Sequence, residues 1–379
     1  MTVSSVLWTS AIVATAGVAS LVFEFVYLLL VIRWTDRRTT GTNYCGLPLR
    51  KRRRFQRWLR LHARLLSPLL WLLRKTQNFR IADATFHFQG IAAPRGGACS
   101  PASFRRAAEY RPTPQDVFVV TPMRCGTTWM QHMVLQVLTR GACDLPRDDL
   151  TLNAVSPWVE SDKTVRMADA PLVGSELPSR IIKTHLPVQL CPWDDLAKYI
   201  YVVRHPVSCF ASCVDFVRNN VCRFQVPLDE LVRWYTSADS MWWGTWPSHF
   251  AGWCARAEQQ RNVLLVRFED MKCEPEDVVC RVAEFLEMRP LDDQECQEVL
   301  RKCSYQYMQQ HAAAFEMHPP HLLQVPESFF VSGKADRYTD VDAQLRDRLV
   351  CWCRDELAGG SAPIERFYSE LGTPVESLV

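Results

Sequence analysis

The sequence predicts an α/β protein: a parallel sheet flanked by helices, phosphate-loop-like in layout, preceded by one transmembrane helix. Three observations carry that prediction. Short runs of β-branched and aromatic residues recur at Val117–Val120, Ile181–Ile182 and Tyr199–Val203. Each run breaks at a Gly- or Pro-containing turn, and the first and last give way to helical periodicity. Ahead of them lies an almost wholly apolar stretch, Val6 to Ile32. It exceeds the roughly 20 residues that cross a bilayer.

Taken in order, the front of the chain reads as an anchor over residues 1–33. No Lys or Arg precedes the apolar stretch, so it lacks the basic start of a secretory signal. Ten cations follow it between Arg33 and Arg60. The positive-inside rule therefore places the C-terminal side in the cytosol. Glu24 is the one acidic residue within the stretch, and reads either as a helix–helix contact or as an interfacial group. Residues 34–114 read as a basic amphipathic juxtamembrane region and linker. Between Cys45 and Thr76, Phe55, Trp58, Leu59 and several further Leu alternate with Arg. That pattern suits a helix on an anionic membrane surface, and equally a helix packed on the following domain. Gly90 to Pro114, rich in Gly, Ala, Pro and Arg, reads as an irregular lead-in. Residues 115–379 read as one α/β domain, roughly 260 residues long and ample for a large core.

That domain opens with Val117 to Val120, then Thr121-Pro122-Met123-Arg124-Cys125-Gly126-Thr127-Thr128-Trp129-Met130. Trp129, Met133, Val134, Val137 and Leu138 set one helical face. The free N–H groups of the helix start, its dipole and Arg124 favour a phosphate-like anion. A Walker A loop needs a second Gly and a Lys that are absent here. The second element, Arg180 to Pro187, ends in Lys183-Thr184-His185. Lys183 and His185 are two apart in an extended run, so they share one face. The imidazole can take a proton at neutral pH. The third element runs Tyr199 to Pro206 with Arg204 at its end, and a helix follows the Pro.

These pieces together resemble the sulfotransferase family, whose sulfuryl donor is 3′-phosphoadenosine 5′-phosphosulfate. Arg124-Cys125-Gly126-Thr127-Thr128-Trp129 is similar to the family's K-S-G-T-T-W loop, with Arg for Lys and Cys for Ser. Lys183 to Pro187 resembles K-[ST]-H-L-P. Arg204 and Ser212 keep the family's spacing for the pair that holds the 3′-phosphate. Trp243 to Trp253 and Phe268-Glu269-Asp270-Met271-Lys272 resemble its G-S-W-x-x-H-x-x-G-W and Y-E-D-M-K stretches. The likeness spans Gln115 to Asp340. It implies His185 as general base, with Lys183 and Arg124 stabilising developing charge. It implies donor contacts from Arg124, Cys125, Gly126, Thr127, Thr128, Trp129, Arg204, Ser212, Phe268 and Tyr305. The family's closing R-K-G-x-x-G-x-x-K loop is altered here to Phe329–Tyr338, where Lys334 and Arg337 stand as substitutes.

The function this implies is a membrane-anchored sulfotransferase moving a sulfuryl group to an acceptor hydroxyl or amine, with no metal. The alternatives are a non-catalytic nucleotide-binding protein on the same fold and a phosphate-loop kinase. The kinase would need a Lys inside the loop and a magnesium-binding carboxylate. Expected partners are the bilayer, through residues 6–32, and a small-molecule, lipid or glycan acceptor. The net charge of +3 comes from the front, which excludes a nucleic-acid-binding catalytic domain. Fifteen cysteines without a C-x-x-C pair read as free thiols in a reducing compartment. A cytosolic domain follows, the alternative being a Golgi-lumenal one. Acceptor choice is expected in Leu145 to Ser179 and Phe216 to Trp246.

Overall fold

The apolar runs that read as strands from the sequence assemble into one parallel sheet. A computed structural model describes residues 15–27, 29–30, 44, 47–66, 81–95, 99–218, 226–317, 336–358 and 364–372. Strands β3 (Asp116–Val120), β4 (Arg180–Thr184), β5 (Lys198–Val203) and β6 (Val263–Arg267) lie in the order β4-β3-β5-β6, all parallel. Alternate residues feed two separate cores. Phe118, Val120, Ile182, Tyr199, Tyr201 and Val203 enter one, and Val117, Val119, Ile181, Ile200, Val202 and Val266 the other. A sheet buried on both faces needs uninterrupted apolar strands, which is why these runs are continuous rather than alternating.

Helices cover both faces. Among them, α3 (Thr127–Leu138) follows β3, α4 (Pro206–Phe216) follows β5, and α7 (Phe268–Cys273) follows β6. The single apolar face read for α3 is an underestimate. Gln131, His132 and Gln136 are as buried as Met133 and Val137. The helix is enclosed between the sheet and helices α8 (Pro275–Phe285) and α9 (Asp293–Cys303). Helix α4 starts at Pro206, where the missing N–H costs nothing.

The expected irregular lead-in is corrected. Residues 81–109 carry a hairpin, β1 (Thr85–Phe88) and β2 (Ile91–Pro94), and helix α2 (Pro101–Glu109). Phe86 and Phe104 meet edge to face at 5.3 Å within the same core as the sheet. A start signal was present in the sequence. Ser100 caps α2 by accepting from Ser103 N–H, and Pro101 occupies its first turn.

Ahead of the hairpin, helix α1 (Leu49–Leu65) is packed on the domain. Leu49 and Leu59 are buried, and the Arg52 guanidinium donates to the carbonyls of Tyr44 and Glu316. The opposite side keeps Arg50, Arg53, Arg54, Arg57, Arg60 and Arg64 exposed. Residues 15–27 and 29–30 are helical, with Val18, Phe23 and Leu30 exposed. Glu24 bonds His62, and Tyr27 meets Trp58 edge to face, so Glu24 is a helix–helix contact. Among the described residues, no helix is long and apolar enough to cross a membrane, so the expected transmembrane helix is not seen there. Residues 1–14, 28 and 31–33 of the expected anchor lie outside the described residues.

Candidate active site

The C-terminal ends of β3, β4 and β5 bring the expected side chains to one end of the sheet. The turn after β3 is built by left-handed backbone at Arg124 (φ 71°) and Gly126 (φ 97°). A Cβ on Gly126 would lie 2.6 Å from the Phe268 ring, so close approach as well as backbone angle requires Gly there. Gly126 caps α3 and leaves the N–H groups of Thr127 and Thr128 at the helix start. The Cys125 thiol points away, buried 3.7 Å from Cys209 Sγ. Only the backbone of Cys125 can therefore serve a ligand at this loop.

Arg124 Nε donates to Ser212 Oγ at 3.2 Å, and its guanidinium lies 5.0 Å from the Phe216 ring. The Arg204 guanidinium covers the Phe268 ring at 4.3 Å. Phe268 in turn meets Trp129 edge to face at 5.6 Å. Lys272 Nζ sits 5.6 Å from the Trp129 ring and 5.3 Å from that of Tyr305. Two guanidinium groups, an ammonium, the Ser212 hydroxyl and four aromatic rings thus gather beside the loop. That set fits a nucleotide carrying phosphates and a flat base. Arg337 lies beside α4, its backbone N–H donating to Ser208 Oγ. Its guanidinium pairs with Asp215 at 2.7 Å and Asp340 at 2.9 Å. It braces the site rather than offering an unengaged cation. Lys334 lies outside the described residues.

At the end of β4, residues 157–160 run alongside the strand. Lys183 N–H donates to Pro157 O, and Val159 N–H to Lys183 O. This pairing sets Trp158 and Glu160 beside Lys183 and His185. Lys183 Nζ stands 3.8 Å over the Trp158 ring, while His185 meets that ring edge-on at 5.3 Å. The shared face read from the strand spacing is therefore observed. Trp243, in left-handed backbone (φ 64°), closes the other side of His185 at 5.0 Å. Its N–H donates to Ala92 O, so the β1–β2 hairpin holds the site's wall. The fully buried Glu160 carboxylate accepts from His185 N–H at 2.7 Å and from the Thr184 hydroxyl at 2.9 Å.

Electrostatics follows from this burial. Desolvation, then the Lys183 charge, holds His185 well below its ordinary value, so the imidazole is neutral at pH 7. Its Nδ1 lies 3.0 Å from the Thr121 carbonyl, which only accepts. The proton is thus on Nδ1, and Nε2 carries the lone pair. Desolvation brings Lys183 down to about 8, with Glu160 opposing the shift. His249 is held by burial to about 4. It reaches the His185 carbonyl through Nε2 at 3.1 Å and Tyr201 Oη through Nδ1 at 3.2 Å. A neutral imidazole beside an ammonium, next to an anion-binding turn, can accept a proton while negative charge is stabilised nearby.

Sequence reasoning placed Arg124, Lys183, His185, Arg204 and Ser212 at this end of the sheet. It missed Thr121, Trp158, Glu160, Trp243 and Lys272 as site residues. Thr121 carried a signal, standing directly at the strand's C-terminal end. Lys272 lay within a quoted motif. Trp158 and Glu160 fell inside the stretch assigned to acceptor choice, and nothing local singled them out.

Comparisons with known proteins agree with this geometry. Residues 114–360 match the model of the sulfotransferase domain. The chain is 27% identical over 291 residues to the 3-alpha-hydroxysteroid sulfotransferase of Cavia porcellus, covering 74% of this chain and 96% of that protein. It is 26% identical over 222 residues to sulfotransferase 1B1 of Mus musculus, covering 58% and 73% respectively. Among solved structures, mouse sulfotransferase SULT7A1 complexed with PAP superposes with a TM-score of 0.57 at 18% identity. That match covers 75% of this chain and 99% of the other. Retinol dehydratase in a complex with retinol and PAP gives 0.57 at 17% identity, over 74% and 94%. With the family model matching well over half of the chain, and with sulfotransferase relatives and this fold beside it, the protein belongs to the sulfotransferase family and is a sulfotransferase.

Proposed function

We propose that the protein transfers a sulfuryl group from 3′-phosphoadenosine 5′-phosphosulfate to the hydroxyl of a small apolar acceptor. The observation that carries the reading is His185: neutral, its Nε2 without a hydrogen bond among the described residues, and flanked by Lys183 and the two indoles. Bound at the loop, the donor supplies the sulfuryl group and its nucleotide leaving group. Backbone N–H groups of Gly126, Thr127 and Thr128 would hold the 5′-phosphate. Arg204 and Ser212 would hold the 3′-phosphate, and Trp129, Phe268 and Tyr305 the base. His185 Nε2 takes the proton of the acceptor hydroxyl. The Lys183 ammonium and the Arg124 guanidinium stabilise charge that grows during transfer.

Trp158 and Trp243 favour a flat or apolar acceptor. Relatives are named for hydroxysteroids, and one neighbour for retinol, which supports that class. A screen of sterols, retinoids, phenols and amines with labelled donor tests it. Turnover confined to polar glycans would sink the apolar-acceptor reading.

We further propose that residues 6–32 anchor the enzyme with its catalytic domain in the cytosol. The charge asymmetry around the apolar stretch supports this. So do the thirteen cysteines among the described residues, each a free thiol. Protease protection on sealed vesicles decides it. A tag at Val379 should be digested without detergent when the cytosolic face is outermost. A tag protected until detergent is added would make the domain lumenal.

A further inference from the structure

A hydrogen-bond chain joins the base to the donor loop, and one carbonyl fixes its first donor. Because Thr121 O only accepts, His185 Nδ1 must donate, at 3.0 Å. The same N–H lies 3.1 Å from Thr121 Oγ1, so that hydroxyl accepts as well. Thr127 Oγ1 stands 2.6 Å further on, and in the relay direction Thr121 donates its proton to it. Thr127 accepts in turn, which leaves its hydroxyl proton for another acceptor. Thr127 is the first residue of α3, where the helix-start N–H groups converge. All three side chains are buried, so water competes little for these bonds. Thr121 also donates its backbone N–H to Thr184 O, which locks the ends of β3 and β4 together.

We propose that Thr121 is a positioning residue that relays between base and donor, in the order His185 Nδ1–H, Thr121 Oγ1–H, Thr127 Oγ1–H, donor phosphate oxygen. No proton need leave the chain. When Nε2 takes the acceptor's proton, Nδ1–H becomes a charged and stronger donor. Each hydroxyl is polarised in turn, and the bond to the phosphate tightens as that group gains charge on leaving. Base action and leaving-group stabilisation are thereby coupled through two hydroxyls. The inference rests on His185 acting as the base.

Single-turnover rates with labelled donor test it on full-length T121V, T127V, T121V/T127V and T121S, with H185A alongside. Val keeps the shape and the Thr121 carbonyl but removes the hydroxyl. The rate should fall about tenfold in T121V, the scale of one hydrogen bond to a charged group. Binding of 3′-phosphoadenosine 5′-phosphate should change no more than a few-fold in that variant. T121S should restore the rate, and the double variant should be no slower than T127V. Wild-type rate in T121V, losses that multiply in the double variant, or T121S as slow as T121V would overturn the relay. Should T121V fail to fold, T127V at wild-type rate overturns it alone. Near-normal turnover in H185A would instead sink the base assignment itself.

Discussion

Two ends of the active site are buried to the same degree yet behave in opposite ways. Lys183 and His185 are 9% and 5% exposed, and Arg204 at the donor end is 5% exposed. Desolvation pushes the ammonium down to about 8 and keeps the imidazole neutral. A guanidinium is planar, delocalised and weakly hydrated, which suits it to stacking. It is accommodated instead on an aromatic face, as Arg204 is on Phe268. Burial alone therefore does not decide what a site does. The same low-dielectric end of a sheet makes a neutral base from His185 beside the Lys183 ammonium, and an anion receptor from Arg.

The strongest way to break that comparison is to remove the base. His185→Ala should lower turnover by about 10²–10⁴, the usual worth of general-base catalysis. Binding of 3′-phosphoadenosine 5′-phosphate should stay within a few-fold, since the receptor end is untouched. Equilibrium titration beside steady-state kinetics reads both. Near-normal turnover would reject the assignment.

At the other end, Arg204→Ala should weaken 3′-phosphorylated nucleotide by about 1.5–3 kcal/mol, the scale of a charged hydrogen bond. Adenosine 5′-phosphosulfate, which lacks the 3′-phosphate, should be nearly unaffected. Equal losses for both would make Arg204 a structural residue only.

A pH profile sharpens the contrast. With Lys183 near 8, the rate should decline as pH rises through that value, and Lys183→Arg should move the decline upward. The sign for stability is the reverse. The folded value lies below the unfolded one of about 10.4, so the unfolded chain binds more protons between them. Lys183 therefore costs stability below pH 8, and that cost is relieved as pH rises toward 10. Lys183→Met should remove this rise along with the activity, seen as a flatter Tm against pH. A wild-type rate constant through pH 9 would refute the shift.

The smallest expected effect is on the turn that serves both ends. Gly126→Ala forces a side chain into left-handed backbone and against Phe268. Strain of about 1–3 kcal/mol should lower Tm by several degrees, at about 2–4 °C per kcal/mol for a domain of this size. An unchanged Tm would mean that Phe268 moves aside freely.

Much of the donor end was legible in the sequence, because its parts are local. A strand ending at Arg124-Cys125-Gly126, a Pro after Arg204 and a fixed Arg–Ser spacing each write their position into a few consecutive residues. The pairing of Lys183 with His185 on one face follows from a two-residue period and needs no tertiary information. The parallel sheet was legible too, since strands buried on both faces must be apolar throughout. The Gly90–Pro114 stretch misled, because composition outweighed the cap at Ser100 and Pro101.

What tertiary structure alone decided is the chemistry's setting. Glu160 and Trp158 reach His185 only because residues 157–160 pair with β4 across more than twenty residues of chain. Trp243 is placed by a hairpin far upstream, and Thr121 meets His185 only where β3 and β4 end side by side. Arg337, expected as a phosphate ligand, is drawn into pairs with Asp215 and Asp340. Sequence fixes which groups stand near a strand end, because backbone periodicity is local. Which of them are desolvated, which proton each carries and which charges are already paired depend on contacts between distant segments, and only the packed fold supplies those.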